Sequence, residues 1–312
     1  MNDIIILEYF TSKSNIDLEN KKIFVEAIGL IENIIKSFLL NKNINNVYFV
    51  QNSKLDILNH KRLIKIFTNK NNSVVSILRN LPKKNVVFVA PEIMNISSHF
   101  QKKISKFLPL RHSSIKINET FSSKEKTIQF LRKNNIDHVG NAQKHKGKFV
   151  IKPIYGAGSL KVRISKKYSF KKNEIIQDYI TGIKGSFSML CKKKKFVLIS
   201  CNKQIVKIIN NNIIQKGIIV GGLENERSEI KFLAKKICDV TEGFFGLISV
   251  DITKQNGKWH VLEINPRFSS SYNGILECYG KNTVHQITNL YLTKKLILDQ
   301  PKLIKTKKII FS

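Results

Sequence analysis

Asp251, Glu263, Asn265 and Arg267 are the residues whose types and spacing best fit a chemical task. Glu263, Asn265 and Arg267 alternate along one stretch, so on a strand they share a face. Asp251 stands on the preceding strand, across a turn at Asn256-Gly257. Two carboxylates and an amide oxygen on one face suit a hard divalent cation, Mg²⁺ or Mn²⁺, better than zinc. An arginine beside them can clamp an oxyanion. Asp251 and Glu263 face the same side only if the connecting loop has an odd number of residues. The spacing therefore predicts a three-residue loop, Gln255-Asn256-Gly257, with Gly257 left-handed. The plain alternative is a surface hairpin with Glu263 in solvent. The apolar neighbours Val261, Leu262 and Ile264, and the stop at Pro266, argue against it.

The elements that must position these groups come from a 312-residue chain with 42% hydrophobic residues, enough for two or three compact lobes and too apolar for a disordered chain. No apolar run approaches the length of a membrane span, and Ile4–Leu7 reads as a first strand rather than a signal peptide. Cys191, Cys201, Cys238 and Cys278 form no CxxC pair and lie in or beside apolar segments, which implies a reduced, cytoplasmic setting. The histidines show no zinc spacing. Net charge is +32, which attracts polyanions, yet the lysines are spread over the whole chain and the run Lys192–Lys195 reads as a hairpin turn. No aromatic-basic stacking platform appears. Solvated faces account for the charge better than a dedicated nucleic-acid site; a basic nucleic-acid-binding protein is the competing reading and leaves the acidic face unexplained.

Residues 1 to about 115 alternate strand and helix. Strands are expected at Ile4–Tyr9, Asn46–Val50 and Asn85–Ala90, and helices at Glu19–Leu40 and Val74–Leu81, while Asn59–Phe67 fits either a short helix or a strand. This order predicts a small doubly wound α/β domain, without the glycine-rich first turn of a dinucleotide site. Ser122–Asn134 reads as a helix capped by Ser122 or Ser123. From Phe149 the chain turns to strands. Lys152 ends the first, the loop Tyr155–Ser159 follows, and Lys161–Ile164 is the next. A strand after the G-x-G excludes Rossmann and Walker A turns; a flap over phosphates and an ordinary hairpin turn remain equally open. Strands then run at Ile175–Ile180, Ser186–Cys191, Phe196–Ile208 and Ile213–Val220, with helices at Glu226–Val240 and Asn282–Leu292 and a last strand at Leu303–Phe311.

A lysine in a capped helix, Ile151-Lys152-Pro153 with a glycine loop, Gln177-Asp178-Tyr179-Ile180 before Gly182, and Asp251 with Glu263-Ile264-Asn265-Pro266-Arg267 occur in this order. Together they resemble the ATP-grasp superfamily of carboxylate–amine ligases over about residues 119–295. A narrower resemblance is to tyramine–glutamate ligases of methanofuran-type cofactor biosynthesis. It rests on Leu7-Glu8-Tyr9, Val89-Ala90-Pro91-Glu92, Asn202-Lys203-Gln204, Val220-Gly221-Gly222 and Glu263–Arg267 followed by Ser269–Tyr272. Ser159 and Leu160 stand where those relatives carry glycine.

The resemblance implies an α/β plus α+β chain: a pre-ATP-grasp domain over 1–118, a small lobe over 119–180 and a large lobe over 181–312. It implies a carboxylate activated by ATP as acyl phosphate and then attacked by an amine, both small molecules. Lys126 and Lys152 would contact the phosphates, with Lys124 the alternative to Lys126. The backbone of Gly156, Ala157, Gly158 and Ser159 would form the flap. Gln177, Asp178, Tyr179 and Ile180 would form the interlobe strand beside adenine, with Ser186 near the ribose. Asp251, Glu263 and Asn265 would hold two Mg²⁺ or Mn²⁺ ions. Arg267 would stabilise the acyl phosphate, and Lys203 and Arg267 would hold a substrate carboxylate. Tyr272 and Asn273 read either as a substrate pocket or as core.

Overall fold

The computed structural model describes residues 2–15, 21–69, 73–91, 93, 95–156 and 158–311, without the side chains of Lys21 and Lys22. Of the expected site, Ala157 lies outside the described residues, as do Glu92 and the first two residues of the expected Glu19–Leu40 helix.

The chain opens with β1 (Ile4–Glu8), α1 (Lys21–Leu40), β2 (Val47–Asn52), β3 (Leu63–Thr68), α2 (Val74–Arg79), β4 (Asn85–Val89) and α3 (Ile96–Ile104). The four strands form a parallel sheet in the order β3-β2-β1-β4. Successive side chains of a strand point to opposite faces. Ile4 and Ile6 accordingly pack with Ile31, Ile34 and Phe38 of α1, whereas Ile5 and Leu7 pack with Leu78 of α2 and Ile104 of α3. Both faces are covered, which is why β1 reads as an unbroken apolar run. The ambiguous segment is a strand from Leu63, and α3 is not legible as a helix in the sequence.

Two short helices follow, α4 (Ile115–Ser122) and α5 (Lys124–Lys133). Ser114 and Ser123 cap them, each hydroxyl accepting a backbone N–H from the first turn. Next come β5 (Phe149–Pro153), β6 (Arg163–Ser165) and β7 (Glu174–Asp178), antiparallel about a small core of Ala142, Phe149, Ile151 and Ile176. The larger part is built from β8 (Lys184–Lys192), β9 (Lys195–Ile209), β10 (Asn212–Val220), α6 (Arg227–Asp239), β11 (Phe245–Gln255), β12 (Lys258–Asn265), α7 (Ile275–Thr293) and β13 (Lys307–Ile310). The strand order is β12-β11-β8-β9-β10-β6-β5-β7, with β13 also on β10. The lysine run closes the β8–β9 hairpin, Lys192 pairing with Lys195. Some expected limits shift: α7 begins at Ile275 and breaks at Gly280, and α6 runs from Arg227 to Asp239, leaving Val240 as its cap. Cys191, Cys201, Cys238 and Cys278 are all buried and unbonded. Among the described residues no helix is long and apolar enough to cross a membrane.

The β11–β12 hairpin corrects the loop prediction. Its turn has two residues, Asn256 and Gly257, both at positive φ (50° and 76°), and Gln255 pairs with Lys258. Those are the features of a type I′ turn. A regular ladder from that turn would set Leu262 opposite Asp251. Instead the register shifts between Asp251 and Ile252: Ile252 pairs with Val261, Asp251 with Glu263, and Leu262 is the extra residue of a β-bulge. The required odd residue is present, lodged in the strand and not in the loop. Ile248, Val250, Ile252, Val261 and Ile264 then face α6, leaving Asp251, Glu263 and Asn265 on the other face.

Candidate active site

That polar face forms one wall of a cavity of about 280 Å³. The other walls are the loop after β5, the segment after β7, and the ends of β1, β4 and α1. At its centre Glu263 meets two lysines. Lys152 Nζ lies 3.4 Å and Lys124 Nζ 3.5 Å from Glu263 Oε1. Lys152 is 6% exposed and Lys124 8%, so neither is a solvated surface lysine. Lys124 Nζ also donates to Gly156 O at 3.0 Å, tying α5 to the glycine loop. Asp251 accepts from Gln204 Nε2 at 2.7 Å through Oδ1, and Asn265 Nδ2 lies 3.4 Å from Oδ2.

The electrostatics separate the two acids. Burial, and next the charge of Glu263, push the Asp251 carboxyl up to about 7, against the opposing pull of Arg267, Lys152 and Gln204. Burial also works against a charged Glu263, but Lys124 and Lys152 outweigh it and hold its carboxyl below the ordinary value. Lys152 itself is lowered, because burial outweighs its pairing with Glu263. Two carboxylates facing each other in a buried site are relieved by a divalent cation, so the donor set fits one. Among the described residues no group of three His, Cys, Asp or Glu side chains gathers to hold a metal, so the pair depends on the Asn265 amide and on ligands from outside the chain.

The other expected residues fall in three groups. Gly156, Gly158, Ser159, Gln177, Asp178, Tyr179, Ile180, Ser186 and Arg267 all line the cavity. Gly158 and Ser159 are left-handed (φ 66° and 57°), which turns the chain sharply between β5 and β6. Asp178 is the last residue of β7, so Tyr179 and Ile180 lie in the connection to β8 and not on the strand. Gln177 is buried, and its side-chain amide donates to Val139 O. Lys126 and Lys203 do not line the cavity. Lys126 is exposed, and Lys124, two residues earlier on α5, points inward in its place. On β9 Gln204 reaches Asp251, so Lys203 projects from the opposite face, exposed. Tyr272 is core, edge-on to Phe268.

Lys184 and Glu8 join the site without having stood out as site residues in the sequence. Lys184 Nζ donates to Ile180 O at 2.8 Å and fixes the segment after β7. Its signal was its parity with Ser186 on the same strand. Glu8 is the last residue of β1, and its Oε2 accepts the Thr11 N–H at 2.7 Å. Its signal was an acid ending a buried parallel strand, where open α/β sheets place ligands.

One prediction separates the two lysines of α5. In the phosphate-contacting role that the sequence resemblance implies, Lys124→Ala should cut nucleotide-dependent turnover by about 10²-fold, whereas Lys126→Ala should leave it within about twofold. Steady-state rates of both variants check this, and equal losses would contradict the placement of Lys124.

Paired acids, two buried lysines and a glycine loop thus line one cavity, a set of groups whose chemistry suits phosphate and a divalent cation. Residues 121–271 match the family model of the ATP-grasp domain. The chain has the ATP-grasp fold. It is similar to the structure of a protein from Archaeoglobus fulgidus assigned to the ATP-grasp superfamily, with a TM-score of 0.75 and 21% identity over 93% of this chain and 88% of that one. N5-carboxyaminoimidazole synthetase from Staphylococcus aureus, complexed with ADP, matches at TM-score 0.68 and 14% identity, covering 97% and 80%. L-amino acid ligase from Bacillus licheniformis matches at 0.66 and 14%, covering 94% and 74%. No curated protein sequence matches significantly.

Proposed function

We propose that this protein is an ATP-dependent carboxylate–amine ligase. The observation that carries the reading is the convergence of Lys124 and Lys152 on Glu263, with Asp251 and Asn265 beside it, in one enclosed cavity. In this reading a substrate carboxylate takes the γ-phosphoryl group of ATP, ADP leaves, and an amine attacks the acyl phosphate to give an amide and phosphate. No nucleophilic side chain is needed; the protein positions reactants and offsets charge.

Lys124 and Lys152 would contact the phosphates. The loop through Gly156, Gly158 and Ser159 would cover them and exclude water, which protects an acyl phosphate from hydrolysis. Val139, Val150, Ile180 and Leu262 supply an apolar patch suited to a planar base, with backbone groups of Tyr179 and Ile180 at its edge. Ser186 would lie towards the ribose. Asp251, Glu263 and Asn265 would hold two Mg²⁺ or Mn²⁺ ions, which when bound offset charge on the transferring phosphoryl group. Arg267 would stabilise the anionic acyl centre. The division into 1–118, 119–180 and 181–312 belongs to the same reading.

The narrower form of the proposal takes the glutamate γ-carboxylate as the acid and tyramine as the amine, on the sequence stretches that resemble tyramine–glutamate ligases. The purified protein should release ADP only when ATP, a divalent cation, glutamate and tyramine are all present. ADP release with other amino acids but not glutamate would redirect the substrate within the class. No ADP release across a broad acid and amine panel would overturn the class itself.

A further inference from the structure

Two walls of the cavity differ in charge. Lys124, Lys152 and Lys184 line the wall beneath the glycine loop. Another wall is supplied by β1, α1 and the end of β4, with Ile23 of α1 beside Gly158; the described lining residues of these three elements include two acids, Glu8 and Glu26, and no base, and Arg267 lines the cavity near Glu8. The rest of that wall is apolar, with Phe10, Ala27, Leu30 and Pro91 among it. In a chain with 54 Lys and Arg against 22 Asp and Glu, a wall with acids and no base is a marked local reversal.

We infer that Glu8 and Glu26 form the ammonium-binding part of the site, and that the amine substrate is a primary amine carrying an apolar body. The inference rests on the ligase reading above and adds the location and chemistry of the second substrate. Glu8 stands at the carboxyl end of β1, an inner strand of the parallel sheet, where such folds bind ligands. The Thr11 N–H holds one carboxylate oxygen in place. Burial raises the Glu8 carboxyl despite the opposing N–H groups and the nearby Arg267, so a cation brought to it relieves an unfavourable charge. Glu8, Asp251 and Arg267 line the same cavity, and the charge of Arg267 lowers both carboxyls. An ammonium held at Glu8 would pass a proton to that carboxylate, and the free amine so formed would attack the acyl centre from the same cavity. Phe10, Ala27 and Leu30 offer surface to an apolar body and no polar partner for a second charge.

Calorimetry on the full chain tests this with 2-phenylethylamine, its neutral isostere 2-phenylethanol, and MgADP. The amine should bind at least about tenfold tighter than the alcohol, the difference expected for one charge-assisted contact. Glu8→Gln keeps the shape and the acceptor for Thr11, and should weaken the amine by about tenfold or more while MgADP stays within about twofold. Glu26→Gln, at a half-buried position of α1, should weaken the amine by a smaller factor. Equal affinity for amine and alcohol, or amine binding unchanged in both variants, would overturn the inference while leaving the ligase reading intact. Failure of the wild-type protein to bind MgADP would overturn the ligase reading instead.

Discussion

Glu263→Gln should abolish ATP turnover, a fall on the order of 10³-fold, and should also lower the stability of the folded protein. The two effects share one cause. Glu263 is the counter-charge for two buried lysines at 3.4 and 3.5 Å. Its removal leaves Lys152 without this counter-charge and Lys124 with the Gly156 carbonyl, a loss of about 3 kcal/mol by the usual cost of breaking a buried ion pair. Repulsion from Asp251 is relieved at the same time and opposes this loss. The attraction of the lysines wins, because the Glu263 carboxyl is held below its ordinary value despite its burial. Denaturant unfolding and ADP release, measured on the same preparation, check both parts. A variant as stable as the parent would mean that the lysines are satisfied by other groups.

The second large effect concerns pH and divalent cations. Asp251 is pushed from 3.8 up to about 7 in the folded protein. Between those values the folded chain binds more protons at this site than the unfolded chain does. Stability from this group therefore falls as pH rises from about 4 to about 7, and is level above. Carboxylates lowered in the folded state, such as Glu174, slope the other way, so the quantity to read is the difference between the parent and Asp251→Asn. A divalent cation competes with the proton at Asp251, so Mg²⁺ should raise the melting temperature more at pH 8 than at pH 5. The shift should vanish in Asp251→Asn. An Mg²⁺ effect that is the same at both pH values, or survives the substitution, would remove Asp251 from the cation site.

The acids of the site are readable because their side-chain types are costly to bury without a purpose, and the spacing of Glu263, Asn265 and Arg267 puts them on one face directly. What the sequence hides is rotation. Lys124 and Lys126 both sit in the first turn of α5, about 200° apart around the axis, and choosing between them requires knowing that Ser123 is the cap. A cation is the obvious anion ligand, which favours Lys203 over Gln204 in the sequence, but one residue along a strand reverses the face. That parity could not be counted from the lysine turn. The β8–β9 ladder slips between Ser188 and Met189, so the pairing on the far side of the slip is out of step with the hairpin. The parallel sheet is legible from its apolar runs. Helices α3 and α4 are not, since Ile96–Ile104 and Ile115–Ser122 carry few apolar residues and depend on Ser98, Gln101 and Asn118 packing inside.

The bulge at Leu262 has a consequence for insertions and deletions. It lies between the hairpin tip and the acids, so the register of Asp251 with Glu263 and Ser249 with Asn265 is set on the far side of it, against β8. Length changes at Asn256-Gly257 can be absorbed without rotating either carboxylate. Loss of Leu262 alone would remove the bulge and leave one regular ladder in which Ile252 still pairs with Val261 and Asp251 with Glu263, so both acids stay on the cavity face. The hairpin thus has a tip free to vary in length and a bulge whose extra residue can be lost without separating the two acids.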